Sequence, residues 1–209
     1  MLPMTRNADE TRARIMKAAT EEFAAYGIAG ARMDRIAGHA AASKERIYAY
    51  FGNKEQLFDT VFSDSVKAYF DEADFDASDL PGYAGRLFDH FAGAPERLRL
   101  STWYRLERPE GIGLQSVIKA NDVRVAAIAA AQDAGTIPAD FTPVQLLALI
   151  QSLSTSWATM NPEFAALAGD VSRAERRRAV VQAVARVVGG GDGGACAGGG
   201  PFPIRRAKT

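Results

Sequence analysis

The sequence predicts an all-α protein. Alternation of β-branched residues with period two persists nowhere along the chain, whereas apolar residues recur at the 3.6-residue period of an amphipathic helix. Glycine and proline fall between these periodic segments, where they commonly end helices and form turns. With 47% hydrophobic and 24% charged residues the composition is that of an ordinary globular chain.

Three short helices are predicted at the front of the chain. Apolar residues share one face between residues 9 and 26, and Gly27 then ends the first helix, as glycine at C′ commonly does. A second helix fits residues 33–40. A third fits residues 44–51, and Gly52 breaks it. Three helices in about fifty residues, with a tight turn before the third, is helix-turn-helix spacing.

A longer helix, predicted over residues 54–74, connects this front domain of residues 1–58 to a second helical domain of residues 75–188. Proline stands at Pro95 and Pro143, where a first helical turn accepts it. The tail of residues 189–209 is rich in glycine and is predicted to be disordered. The helices predicted in the second domain cover residues 83–92, 95–107, 114–134, 143–160 and 172–188.

The third helix has the faces expected of a helix that enters a groove. Ile47 and Phe51 are four residues apart and are expected to point inward. Lys44, Glu45 and Tyr48 then point outward, where a core helix would not place them. The major groove of DNA, about 12 Å wide, admits such a helix.

Cap signals and charge agree with this interpretation. Ser43 can accept the backbone N–H of Glu45 or Arg46, and Asn53 with Gln56 resembles a capping box on the next helix. Residues 1–54 contain nine Lys or Arg and six Asp or Glu, a net +3, and the remaining chain carries −3. A basic front segment indicates an anionic partner, although chance asymmetry would give the same count.

The stretch "GARMDRIAGHAAASKERIYAYFGNKEQLF" resembles the DNA-binding signature of the TetR family of bacterial transcriptional regulators. The resemblance covers roughly residues 10 to 58, and many spaced positions agree at once. The matching positions are Gly27, Ile36, Ala37, Ala40, Ser43, Ile47, Tyr48, Tyr50, Phe51, Lys54 and Leu57.

The resemblance implies a set of DNA-contacting residues. Lys44, Glu45 and Arg46 occupy positions that meet bases or nearby phosphates. Lys or Arg can donate to guanine, and Glu can accept from cytosine N4, although phosphate and sugar take half or more of such contacts. The implied set is Arg32, Ser43, Lys44, Glu45, Arg46, Tyr48, Tyr50 and Lys54.

The chain departs from the family pattern at two positions. Arg32 stands where the family usually has Thr, and a guanidinium has no acceptor oxygen with which to cap the second helix. It can instead donate to a phosphate. Ala41 stands where the family's turn usually has Gly. If Ala41 is left-handed, the cost is roughly 1–2 kcal/mol.

For the second domain the resemblance implies dimerisation. The last two helices carry wide apolar faces that could form half of an intersubunit four-helix bundle. Alternatively, these faces close the core of a single chain. The predicted interface residues are Leu146, Leu147, Ile150, Leu153, Val180, Val181, Val184 and Val187.

The resemblance also implies a pocket for a small-molecule effector in the second domain. Aromatic and methionine side chains at helical spacing are the candidates, although such groups are more often ordinary core. The predicted pocket residues are Phe88, Phe91, Trp103, Tyr104, Ile118, Trp157 and Met160.

The favoured function is therefore a repressor that binds a palindromic operator as a homodimer and is released by an unknown small molecule. An enzyme is disfavoured, because no nucleophile–base pair or phosphate loop is apparent and one cysteine builds no metal cluster. No cofactor or metal is expected. Without a signal or an apolar run of about 18 to 20 residues, a cytoplasmic protein with no membrane partner is expected. The alternative is a helical adaptor that binds protein rather than DNA.

Overall fold

The computed structural model describes residues 3–72, 74–158, 166–167 and 169–189. These residues form helices and no strands, which confirms the predicted all-α fold. Met160 and the tail beyond Gly189 lie outside the described residues. The helices are α1 (Pro3–Gly30), α2 (Met33–Ala40), α3 (Lys44–Phe51), α4 (Lys54–Glu72), α5 (Leu80–Gly93), α6 (Pro95–Glu107), α7 (Ile112–Asp133), α8 (Pro143–Thr155) and α9 (Arg173–Val188).

Gly27 breaks α1 where the sequence predicts an end. Its φ of 65° and ψ of −176° interrupt the helix, and a last short turn then continues to Gly30. A side chain has no room here, because a Cβ at Gly27 would lie 2.9 Å from both Glu107 Oε2 and Trp103 Cε3. Glycine is thus required both by the backbone conformation and by the close approach of α6.

The turn between α2 and α3 is closed by Ala41 in the left-handed conformation, the case for which the sequence analysis gave a cost. Its φ is 46° and its ψ is 49°. The backbone N–H of Ala41 donates to the carbonyl of Gly38 at 3.2 Å, and that of Ala42 donates to the carbonyl of Ala37 at 3.1 Å. These bonds satisfy two carbonyls at the end of α2 and hold the turn in place.

The described residues pack around two hydrophobic cores. The first core joins α1, α2, α3 and α4, and α6 contributes the fully buried Leu100 and Tyr104 to it. The Tyr104 ring stacks on Phe62 with centroids 3.7 Å apart, and its hydroxyl donates to Asp59 Oδ1 at 2.7 Å. The front core therefore extends beyond the predicted domain of residues 1–58.

The second core is built from α5, α7, α8 and α9, and it contains most of the predicted dimer contacts. Leu153 and Val187 pack against this core, and Val181 is partly buried. Within the described chain these side chains pack into one core, because both apolar faces turn toward α5. The predicted interface residues buried here are Leu146, Leu147, Ile150, Val180 and Val184.

Among the described residues, no helix has both the length and the apolar content that crossing a bilayer requires.

Candidate nucleic-acid interface and internal cavity

Helix α3 presents a polar and aromatic surface on an apolar base. Ile47 and Phe51 are buried in the front core, with 1% and 8% of their surface exposed. The six predicted contact residues on and next to α3 are all exposed. They are Ser43, Lys44, Glu45, Arg46, Tyr48 and Tyr50.

Ser43 caps α3 as predicted. Its Oγ accepts the backbone N–H of Arg46 at 3.2 Å. The Glu45 backbone N–H and the Ser43 hydroxyl lower the pKa of the Glu45 carboxyl, which is therefore ionised at neutral pH. An anionic acceptor thus stands at the start of α3, beside N–H dipoles that attract phosphate.

Lys44 is paired with Asp34 of α2. The Lys44 Nζ lies 2.9 Å from Asp34 Oδ1, and this hydrogen bond raises the pKa of Lys44. Both side chains are exposed, so the pair is open to competition from solvent and phosphate. This pair was not predicted from the sequence.

Glu22 of α1 anchors the start of α2, where Arg32 makes no side-chain cap bond. The Arg32 backbone N–H donates to Glu22 Oε1 at 2.7 Å, and Arg35 Nε donates to the same oxygen at 2.8 Å. Burial raises the pKa of Glu22, but the hydrogen bonds from Arg35 and from the Arg32 backbone outweigh burial and lower it. The Arg32 side chain itself is exposed and makes no cap bond.

The start of α4 has the predicted capping box. The Asn53 N–H donates to Gln56 Oε1 at 3.0 Å, and the Gln56 N–H donates to Asn53 Oδ1 at 2.8 Å. Lys54 is therefore held in the first turn of α4, where it is half-buried. This is the position from which the sequence predicts a phosphate contact.

The last residue of α6 bonds to the broken end of α1. The Glu107 carboxylate accepts the backbone N–H of Ile28 at 2.6 Å and that of Ala29 at 3.2 Å. These amides are left without helical partners by the break at Gly27. Glu107 thus joins the front helices to the second half of the chain, a role that no local sequence signal indicates.

A cavity of about 320 Å³ lies between α4, α5, α6, α7 and α8. Seven apolar side chains and several polar ones line it, and it opens to solvent. The lining residues on α4, α5 and α6 are Phe62, Ser65, Val66, Tyr69, Leu87, His90, Phe91, Arg97, Leu98, Ser101 and Arg105; those on α7 and α8 are Val117, Asn121, Ala148, Gln151, Ser152 and Thr155.

The cavity contains one of the predicted pocket residues, Phe91. Phe88 and Trp157 line a neighbouring cleft, which also reaches Phe91. Trp103 and Tyr104 do not line the cavity, because α6 turns them toward the front core. Ile118 is half exposed on the outer side of α7. Helical spacing alone does not reveal toward which of two cores a side chain points.

Within the described residues, no group of three or more His, Cys, Asp or Glu side chains could hold a metal ion.

Two family models match this chain. The model for bacterial regulatory proteins of the tetR family matches residues 15–61. The model for the tetracyclin repressor-like C-terminal domain matches residues 79–186. The first match contains α2 and α3, and the second contains most of the cavity lining.

Relatives and solved structures agree with these matches. The HTH-type transcriptional repressor SCO4008 of Streptomyces coelicolor is 35% identical over 188 residues, which cover 88% of this chain and 97% of that protein. The HTH-type transcriptional repressor NicS of Pseudomonas putida is 40% identical over 67 residues, 32% of this chain and 31% of that protein. The crystal structure of SCO4942 from Streptomyces coelicolor superposes with a TM-score of 0.78 at 45% identity, covering 85% of this chain and 98% of the other.

Proposed function

This chain belongs to the TetR family of DNA-binding transcriptional regulators, and we propose that it is a dimeric repressor that a small molecule releases from a palindromic operator. The family is one of regulators rather than of enzymes. Repression is supported by the 35% identical relative from Streptomyces coelicolor, which is named a transcriptional repressor and matches most of both chains. As a regulator of bacterial DNA it would act in the cytoplasm.

The surface of α3 carries this proposal. Ile47 and Phe51 hold the helix on the core, while its outer face offers Lys44, Glu45 and Arg46 beside a capped helix start. Lys and Arg can donate to guanine, and the ionised Glu45 can accept from cytosine N4. Tyr48 and Tyr50 are exposed where they can lie against the sugar-phosphate backbone.

A palindromic operator follows if two copies bind through a two-fold axis. Two α3 helices would then enter successive major grooves about one helical turn apart, on half-sites of inverted sequence. Five of the predicted interface residues are buried within one chain, so we assign the dimer contact to the outward faces of α8 and α9. Leu149 and Val144 on α8, and Ala179, Gln182 and Ala185 on α9, are exposed there.

Effector control is supported by the two contacts of α6. This helix lines the cavity through Arg97, Leu98, Ser101 and Arg105. Its last residue, Glu107, holds the backbone of Ile28 and Ala29. A ligand that binds one arrangement of α6 more tightly would shift the population of front-domain positions and so lower operator affinity.

Selection of bound sites from random duplex DNA with the full chain tests the proposal. We expect enrichment of an inverted repeat, with an affinity that falls steeply as salt rises, because phosphate neutralisation releases counterions. An enriched site without inverted symmetry would contradict the dimeric operator. Binding that ignores both sequence and salt would contradict operator recognition and favour the adaptor.

A further inference from the structure

We propose that the cavity binds a small organic anion, a molecule with an apolar body and one carboxylate-like group that pairs with Arg105. The regulatory consequence of this binding rests on the proposed function. The binding itself rests on the charges, contacts and shape of the cavity.

The cavity lining contains positively charged side chains without an equal number of negatively charged ones. Arg97 and Arg105 line it, and no Asp or Glu does. Glu72, just outside the lining, lies 2.9 Å from Arg97 Nη1 and 2.6 Å from His90 Nδ1. Arg97 is thus already balanced by a carboxylate, and Arg105 is the cation left to attract a ligand.

Arg105 is held by its own helix rather than by an acid. Its Nη1 donates to the Ser101 carbonyl at 3.2 Å and also to the Ser101 hydroxyl. In the described part of the chain, no carboxylate lies within ion-pair distance of it. A guanidinium anchored in this way still has donors in the fork geometry that binds carboxylate.

The Arg105 side chain is both accessible and partly desolvated, as expected for a residue in the wall of a cavity. A large share of its surface is accessible, yet desolvation by the surrounding protein lowers its pKa from the ordinary arginine value. The two observations agree if the accessible surface faces the cavity instead of bulk solvent. A cation placed there lacks part of its hydration and interacts strongly with an incoming anion.

A second arginine stands behind the cavity wall. Arg124 is 5% exposed, and its guanidinium donates to the Tyr69 hydroxyl at 3.2 Å. It lies over the rings of Tyr69 and Phe70 at 5.1 and 4.5 Å. No carboxylate among the described residues pairs with it either. Because Tyr69 lines the cavity, Arg124 adds positive potential at the same place.

The rest of the lining selects an apolar and compact ligand body. Seven of the lining side chains are apolar, and 320 Å³ is near the lower end of the roughly 300–1,000 Å³ range of ligand pockets. Gln151 and Asn121 are bonded to each other at 3.2 Å. This bond occupies the Gln151 amine and the Asn121 oxygen, so the charge of Arg105 is the main polar feature by which the cavity can select a ligand.

Matched probes can test the charge requirement. We would titrate the full chain with octanoate, octan-1-ol and octylamine, and with phenylacetate, benzyl alcohol and benzylamine, following binding by calorimetry. We expect a carboxylate to bind about ten to a hundred times more tightly than its matched alcohol or amine, as a charged hydrogen bond in a cavity provides. Failure of both carboxylates to bind, or equal binding of a matched alcohol, would overturn the proposal.

Variants separate Arg105 from general charge effects. Arg105→Gln should abolish the preference for carboxylate, Arg105→Lys should retain it in part, and Arg105→Glu should shift it toward the amine. Lys119→Gln removes one positive charge from the exposed side of α7 and should change nothing. Carboxylate binding that survives Arg105→Gln unchanged would overturn the assignment, and the circular dichroism of each variant reports whether it is folded.

An operator-release assay with the same probes distinguishes the two proposals. Carboxylates that bind but do not release DNA would support the anion site and contradict effector control. Amines or alcohols that bind and release DNA, when carboxylates do neither, would support effector control and overturn the anion site.

Discussion

Glu45 and Lys54 stand on successive helices of the front unit and are expected to act on DNA in different ways. Lys54→Ala should weaken binding to all sequences similarly, because a phosphate contact carries no sequence information. Glu45→Ala should change which base pair is preferred at one half-site position, since the ionised carboxylate can accept from cytosine. Titration of a set of single-substitution operators measures both effects. A uniform loss in both variants would remove Glu45 from base recognition.

Several side-chain roles could be predicted from the sequence because their partners are local. Ser43 bonds Arg46 three residues ahead, and Asn53 and Gln56, also three residues apart, bond each other, so spacing alone was sufficient. Glu22 and Asp34 were missed because their partners lie ten residues away along the chain, across a turn. The Arg32 departure indicated a lost side-chain cap, and the fold shows in addition that Glu22 holds the Arg32 backbone and the Arg35 side chain at the start of α2.

The turn between α2 and α3 offers a test of backbone strain. Ala41 is left-handed, a conformation that costs an L residue roughly 1–2 kcal/mol in the folded state. Glycine avoids this cost, but it lowers the free energy of unfolding by about 0.4–1 kcal/mol because it raises the entropy of the unfolded chain. Ala41→Gly should therefore raise the free energy of unfolding by about 0.5–1 kcal/mol. Denaturant unfolding measures this change.

Ala42→Gly provides the matched control for that turn. Ala42 follows Ala41 directly but does not have a positive φ, so its replacement by glycine should destabilise the chain slightly. An Ala41→Gly variant that is as unstable as Ala42→Gly would show that the turn bears no strain.

Helix positions were predictable from the sequence, but the partners of their apolar faces were not. The bounds of α2, α3 and α6 agree with the predicted ones. Helix α8 ends at Thr155, earlier than the predicted Met160, and the hydroxyls of Ser154 and Ser156 bond back to the carbonyls of Ile150 and Leu153 at its end. The apolar face of a helix predicts which side is buried. It does not predict whether a helix of the same chain or a second chain covers that side.

The Glu107 carboxylate at the end of α6 bonds the backbone of α1 and so connects the two halves of the chain. Glu107→Gln keeps the shape but removes the charge that both backbone N–H groups bond. We expect a loss of about 1–2 kcal/mol in unfolding free energy. Fluorescence of Trp103, which lies beside Gly27, would report the junction, and Trp157→Phe would remove the other tryptophan signal.

Glu110→Gln is the control for the junction, because Glu110 is exposed beyond the end of α6. It should leave both stability and operator binding unchanged. If Glu107→Gln behaved in the same way, the carboxylate would not connect the front helices to the rest of the chain.

The contribution of Leu100 and Tyr104 to the front core has a consequence for recombination among regulators. A chimera that takes residues 1–58 from this chain and the remainder from a distant homologue would meet an unmatched α6 surface, leaving an unfilled space beside Phe58 and Phe62. Protein engineering can therefore exchange exposed residues of α3 with little effect on the core, apart from Ser43, which caps the helix. On the proposed function, that face is the part of the chain that would set operator preference, whereas the packed front helices depend on α6 for part of their core.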